Sequence, residues 1–255
     1  MIKGNIFIGT HKDVEIPRRA KEFSVIKMGN NSHNLLIEGY TDDTLKNISF
    51  KNPNYSELTA EYWISKNVHS DILGFQHYRR YFVDAFNRIL DENSITKILK
   101  DYDAILPSPR IFMRETVENY YEIHHRVCDL KTTREVVLDL HPEYIKDFDY
   151  AMSCHRSFQY NMIIAKKSVY NDYHDWLFSI LFELEKRIDI RDLDQYQSRI
   201  FGFISERLLA VWMLHNNVNY TTRFVKNIEQ SYFQNEKEKY LNMVKEIFTK
   251  SRIHS

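Results

Sequence analysis

Short apolar segments of strand length, alternating with amphipathic helical ones, constrain this chain more than any other feature. Residues 6–9 and 24–28 are β-branched and aromatic runs, the first ending in the polar Thr10-His11-Lys12. Residues 56–67 read as a helix with Leu58, Tyr62 and Trp63 on one face. Residues 71–76 read as a buried strand, and 104–106 as another, stopped by Pro107 and Pro109. Helices are predicted over 93–101, 116–124, 132–139 and 142–153. A further strand at 160–165 leads into helices at 168–187 and 198–215. This alternation predicts an α/β fold with a mainly parallel sheet, because parallel neighbours need a crossover connection. The strand tips at Thr10, His77 and Asn161 are then expected at one edge, where such sheets bind ligands.

Composition narrows the function classes. Lys+Arg and Asp+Glu are each 35, which argues against a dedicated nucleic-acid binder. Only 6 glycines are present, and neither the dinucleotide fingerprint G-x-G-x-x-G nor the P-loop pattern occurs. Cys128 and Cys154 cannot make a disulfide framework, and no C-x-x-C pattern exists, so a reducing cytoplasm is expected. The amino-terminal residues do not read as a signal peptide, and the longest apolar stretch, near 176–182, is too short for a membrane span. One domain is expected over 1–225, with helices in its C-terminal part. An extension over 226–255 carries a basic amphipathic helix at 235–252. That helix packs on its own domain or makes a peripheral contact with an anionic membrane at its inner face.

Three segments concentrate chemistry. His77-Tyr78-Arg79-Arg80-Tyr81-Phe82 follows a buried strand. Arginines there either pair with surface carboxylates or present bidentate donors to phosphate. In Asn52-Pro53-Asn54-Tyr55-Ser56-Glu57-Leu58-Thr59, the polar residues either cap a helix or meet a polyhydroxylated ligand. Asn161 opens an apolar strand, and Glu206 sits in an apolar helix. Glu206 is either bridged by Arg207 or Arg199, or acts as a general base. Asp-x-Asp spacings at Asp101, Asp147 and Asp192 arise easily by chance, and none follows a convincing buried strand. The histidines form no H-E-x-x-H pattern, and no G-x-S-x-G element is present.

Taken together, N-P-x-Y-x-E-L-T from Asn52, H-Y-R-R-Y-F from His77 and Leu106-Pro107 with Pro109-Arg110 resemble a bacterial glycosyltransferase family. Its members occur in capsule, exopolysaccharide and lipopolysaccharide gene clusters. Thr10-His11-Lys12, His124-His125, Tyr160-Asn161-Met162 and Phe203-Ile204-Ser205-Glu206-Arg207 extend the resemblance over nearly the whole chain, about residues 2–217. It implies a GT-A-like, Rossmann-type α/β/α sandwich. It also implies a UDP-sugar donor, with galactofuranose as the first choice because some members transfer it, and a glycan or lipid-linked acceptor. Thr10, His11, Lys12, Asn52, Thr59, His77, Tyr78, Arg79 and Arg80 would then serve the donor. Asn161, His124, His125 and Arg207 would serve the acceptor or sugar, and Glu206 or Glu57 would be the base of an inverting transfer. GT-A enzymes usually hold Mg2+ or Mn2+ with Asp-x-Asp at a strand end. Here that place carries His77-Tyr78-Arg79-Arg80, so the arginines are expected to supply the charge, with Asp42 or His124 as alternative metal ligands. The rival readings are a non-catalytic nucleotide-sugar or glycan-binding scaffold and a nucleotide-sugar hydrolase.

Overall fold

The structure, a computed structural model, describes residues 6–29 and 32–230, with residues 234, 237, 240, 241 and 244 singly. The helix expected over 235–252 lies outside the described residues apart from those isolated positions. Strands β1 (Ile6–Thr10), β2 (Ser24–Lys27), β3 (Tyr40–Thr41), β4 (Ile72–His77) and β5 (Arg80–Val83) come first. With β6 (Ala104–Pro107), β9 (Ile163–Lys166) and β10 (Tyr220–Asn227) they build one eight-stranded sheet. β7 (Arg110–Ile111) and β8 (Arg156–Ser157) pair separately. The helices are α1 (Asn52–Tyr55), α2 (Leu58–Asn67), α3 (Glu92–Ile98), α4 (Val117–His124), α5 (Val127–Leu140), α6 (Ile145–Ser153), α7 (Lys167–Arg187) and α8 (Ile200–His215).

The sheet is mixed, which corrects the expectation of a mainly parallel one. β1 pairs in parallel with β2 and β4, β2 with β3, and β10 with β6. β5 and β9 run the other way against β4, β10 and β6. β4, β9, β6, β10 and β5 therefore close a circuit of pairings, while β1, β2 and β3 extend from the outer edge of β4. Only two residues, Tyr78 and Arg79, separate β4 from β5, so the H-Y-R-R-Y-F segment is a tight hairpin rather than a loop leaving a strand. β10 follows the C-terminal helices and has no counterpart in the sequence reading. Its sequence, with Thr221-Thr222-Arg223 and Phe224-Val225 in runs and half-buried residues from Thr221 to Asn227, shows no period-2 pattern, a weak signal for a strand held between two others.

Strand alternation feeds two cores. Phe7, Leu73, Phe75, Leu106, Ile163 and Ala165 point into a large core shared with α2 and α4–α8. Ile6, Ile8, Ile105 and Ile164, their neighbours in sequence, point to the other face. There a smaller core forms with Phe23, Tyr81, Phe82 and, from α3 and its C-terminus, Ile95 and Leu99. Helix cover is thus heavy on one face and thin on the other. Because β9 runs opposite to β4, the start of β9 lies at the edge where β1, β4 and β6 end. That polarity brings Thr10, His77 and Asn161 to a common edge, as the strand-tip argument expected.

Candidate active site

The helix predicted over 56–67 forms as α2 (Leu58–Asn67), and the bend that separates it from α1 shapes the site. α1 ends at Ser56, whose φ of 51° lies in the left-handed region. Asn52 holds this bend: its Nδ2 donates to the Ser56 carbonyl at 2.8 Å and to Thr59 Oγ1 at 3.0 Å. Thr59 Oγ1 in turn donates to the buried Asp42 Oδ2 at 2.5 Å, and Asp42 Oδ1 accepts from Ser49 Oγ and from the Gly29 amide. Gly29 has φ +79°, and a Cβ there would sit 2.6 Å from Asn52 Oδ1, so only glycine lets this loop approach. A second bend faces the first. Tyr160 and Asn161, just before β9, have φ of 79° and 46°. Asn161 Nδ2 donates to Glu57 Oε1 at 2.9 Å and to the Gly202 carbonyl at 3.1 Å, while Ser205 Oγ donates to Asn161 Oδ1 at 2.6 Å. Three residues in a sparsely populated conformation, held by a polar network, are the kind of backbone strain found at functional sites.

Between these bends and the β4–β5 hairpin lies a cleft of about 790 Å3. On one side it is lined by His11, Met28, Asn52, Glu57, His77, Tyr78, Arg79 and Arg80. On the other it is lined by Arg110, Tyr120, His125, Gln159, Tyr196, Arg199, Phe203, Glu206 and Arg207. Five arginines against two glutamates make the lining cationic. Burial lowers the pKa of His11 and His77 and pushes His125 down to about 4, so these histidines are neutral near pH 7. His77 Nε2 lies 2.7 Å from the Tyr160 carbonyl, which ties the hairpin to the second bend. The Arg80 guanidinium stacks 4.6 Å over the Tyr160 ring, and neither Arg80, Arg110 nor Arg199 meets a carboxylate within ion-pair distance among the described residues. Arg79 lies 3.5 Å from Glu229, which also pairs with Lys12 at 3.0 Å.

The two carboxylates differ. Glu206 accepts from the Tyr160 amide at 2.8 Å through Oε1 and from Arg207 Nη1 at 2.7 Å through Oε2. Burial raises its pKa, with Arg207 opposing. The bridge to Arg207 therefore exists, and Glu206 also anchors the strained Tyr160 turn. Glu57 receives the Asn161 bond on one oxygen, and among the described residues no donor meets the other.

Ten of the expected site residues share the cleft: His11, Asn52, Glu57, His77, Tyr78, Arg79, Arg80, His125, Glu206 and Arg207. Thr10, Lys12, Thr59, Asn161 and His124 do not line it. Thr10 is fully buried and holds the β1 turn, its Oγ1 donating to the Lys12 carbonyl at 2.6 Å. Thr59 and Asn161 are buried supports for Asn52 and Glu57, and His124 bonds its own helix at the Tyr120 carbonyl. Arg110, Tyr120, Gln159, Tyr196 and Phe203 line the cleft without having been singled out. They sit on β7, α4, α8 and connecting segments far apart in sequence, and only the Pro109-Arg110 and Phe203–Arg207 motifs hinted at two of them. Of the two alternative metal ligands, Asp42 is buried with its oxygens taken by hydroxyl and amide donors, and His124 lies outside the cleft lining with its Nδ1 at the Tyr120 carbonyl. Among the described residues no three His, Cys, Asp or Glu side chains converge as a metal-holding group.

The fold and the cleft define an α/β protein with a cationic cleft at the carboxyl edge of its sheet. Residues 5–217 match the family described as Domain of unknown function (DUF4422), and the chain belongs to that family. It is also similar to the apo structure of the bifunctional glycosyltransferase WbbM, with a TM-score of 0.79 at 26% identity over 89% of this chain. The match covers 45% of the WbbM chain, so this chain spans less than half of that protein's length. No curated protein matches. Among the described residues no helix is long and apolar enough to cross a membrane.

Proposed function

We propose that this chain is a glycosyltransferase with a GT-A-like sheet. It moves a sugar, first choice galactofuranose, from a UDP-sugar to a glycan or lipid-linked hydroxyl at the cytoplasmic face of a membrane. One observation carries the reading: an arginine-rich hairpin at the carboxyl edge of the sheet shares a cleft with two glutamates that are hydrogen-bonded to the strained Tyr160-Asn161 turn. The likeness to WbbM supports the reaction class. Arg79 and Arg80 hold the diphosphate, and His11 and Tyr78 border the nucleotide. The acceptor oxygen attacks the anomeric carbon as the bond from that carbon to the phosphate oxygen breaks. The nucleoside diphosphate leaves with the bonding pair, and the hydroxyl proton passes to a carboxylate. Glu57 is that base, since one of its oxygens is unengaged among the described residues. Glu206 holds the Tyr160 turn and the Arg207 charge. The arginines stabilise the departing diphosphate, so no step is assigned to a metal.

The test is incubation with UDP-, GDP-, CMP- and dTDP-sugars and synthetic or lipid-linked acceptors, read by mass spectrometry. Transfer from one UDP-sugar, kept in excess EDTA, is expected; free sugar released without acceptor would instead mark a hydrolase. EDTA inhibition reversed by Mn2+ would overturn the arginine assignment. Glu57→Gln should cut kcat at least a hundredfold with UDP affinity intact, a typical loss for a general base. Arg80→Ala should weaken UDP binding by roughly tenfold or more, as expected for a charged hydrogen bond.

A further inference from the structure

The cleft wall opposite the β4–β5 hairpin is unexplained by donor binding. Tyr120 is stacked between Phe112 at 4.4 Å and His124 at 4.1 Å. Arg110 lies 4.8 Å over the Tyr120 ring and donates from Nη1 to its hydroxyl at 3.0 Å. Aromatic rings and a phenol, rather than a carboxylate, thus fix this cation, leaving its charge uncompensated within the described residues. Beside it, His125 stacks on Phe203 at 4.1 Å, and Tyr196 lies 5.1 Å from Phe203 with its side chain exposed. Arg207 is 3% exposed and lines the same cleft; Nη1 is bonded, but its buried Nε has no hydrogen-bond partner. An unmet charged donor is costly and marks a place where a ligand acceptor would be stabilised.

We infer that this wall is an acceptor subsite that takes a saccharide bearing an acidic group, a carboxylate or a phosphate. The sugar ring lies on the Tyr196–Phe203 aromatic surface, and Arg110 reads the anion. An aromatic face offers a flat apolar surface to a sugar ring, while an arginine already held in place meets an oxyanion with little ordering cost. The inference rests on the glycosyltransferase reading for the word acceptor, but its binding chemistry does not depend on that reading.

The experiment uses the full chain and titration calorimetry with three matched oligosaccharides, ending in glucuronate, in glucose 6-phosphate and in glucose. UDP binding is measured separately. Wild type should bind at least one charged saccharide roughly tenfold or more tightly than the neutral one. Arg110→Gln should abolish that preference while keeping the neutral affinity, and Tyr196→Ala should weaken all three. Preference for glucuronate alone assigns a carboxylate, and preference for both assigns a general anion site. Equal affinity for all three in wild type, or a charged preference surviving in Arg110→Gln, would overturn the subsite. Because UDP affinity is read independently, a chain that binds UDP without the preference loses only this inference. One that keeps the preference without binding UDP loses only the donor assignment.

Discussion

At the residue scale, the cleft histidines set how the protein responds to acid. His125 is partly buried, stacked on Phe203, and its Nδ1 lies 3.2 Å from Gln197 Oε1. Burial is the main cause that pushes its pKa down to about 4; the neighbouring Arg207 and His124 act in the same direction, while Gln197 opposes. In the unfolded chain the group titrates near its ordinary value of 6.5. Acid therefore protonates the unfolded chain first. The stability contributed by neutral His125 is present above pH 6.5 and is lost as pH falls towards 4. His125→Phe keeps the ring stacking and cannot titrate. Its melting temperature should lie below wild type at pH 7.5, where the Gln197 contact counts. The gap should narrow or reverse at pH 4.5. A gap that is constant across that range would show that His125 is not held neutral.

At the element scale, glycines separate backbone that needs space from backbone that does not. Gly9 ends the packed part of β1, and a Cβ there would lie 2.5 Å from the Phe75 ring of β4. Gly202 is in the first turns of α8, and a Cβ there would meet nothing closer than 3.9 Å. Gly202→Ala should therefore stabilise the fold by about 0.5–1 kcal/mol through helix propensity, while Gly9→Ala should destabilise it. Urea melts compare both directly, and a destabilised Gly202→Ala would mean that the contact of α8 with the Ser56 bend is tighter than its distances imply. The same elements show what was legible from sequence. β1, β4, β9 and α8 are strongly patterned, and they bring His11, His77 and Glu206 to one cleft. The kink at Ser56 was not legible, because nothing in N-P-N-Y-S-E-L-T demands a left-handed serine. It follows from Asn52 bonding the Ser56 carbonyl and Thr59, with Asp42 behind Thr59, and Asp42 is brought in by β3, a two-residue strand without a pattern of its own. Arg110 and Tyr196 escaped for a related reason: each belongs to the cleft only through the folding together of distant segments.

At the scale of the whole molecule, β10 decides whether the sheet closes. The family match ends at residue 217, yet Tyr220–Asn227 lies between β5 and β6. Val225 opposes Phe82 and Thr222 opposes Leu106, so both edges of β10 are occupied. Without it, β5 keeps a single paired position with β4, His77 against Arg80, and β6 keeps only β9. The hairpin that carries Arg79 and Arg80 would then be held to the sheet by that one pairing, with β5 otherwise tied only to the Ile89-Leu90 segment and Gln76, and backbone groups on two strands would lose their partners. Glu229, just beyond β10, also supplies the counter-charge to Lys12 and Arg79. A chain ending at Asn217 should therefore lose cooperative thermal unfolding and UDP binding, even though it retains the whole region that defines the family. Near-ultraviolet circular dichroism, melting curves and UDP titration of that shortened chain test this together. Retention of a sharp transition and full UDP affinity would show that the cleft is held by the first nine strands alone.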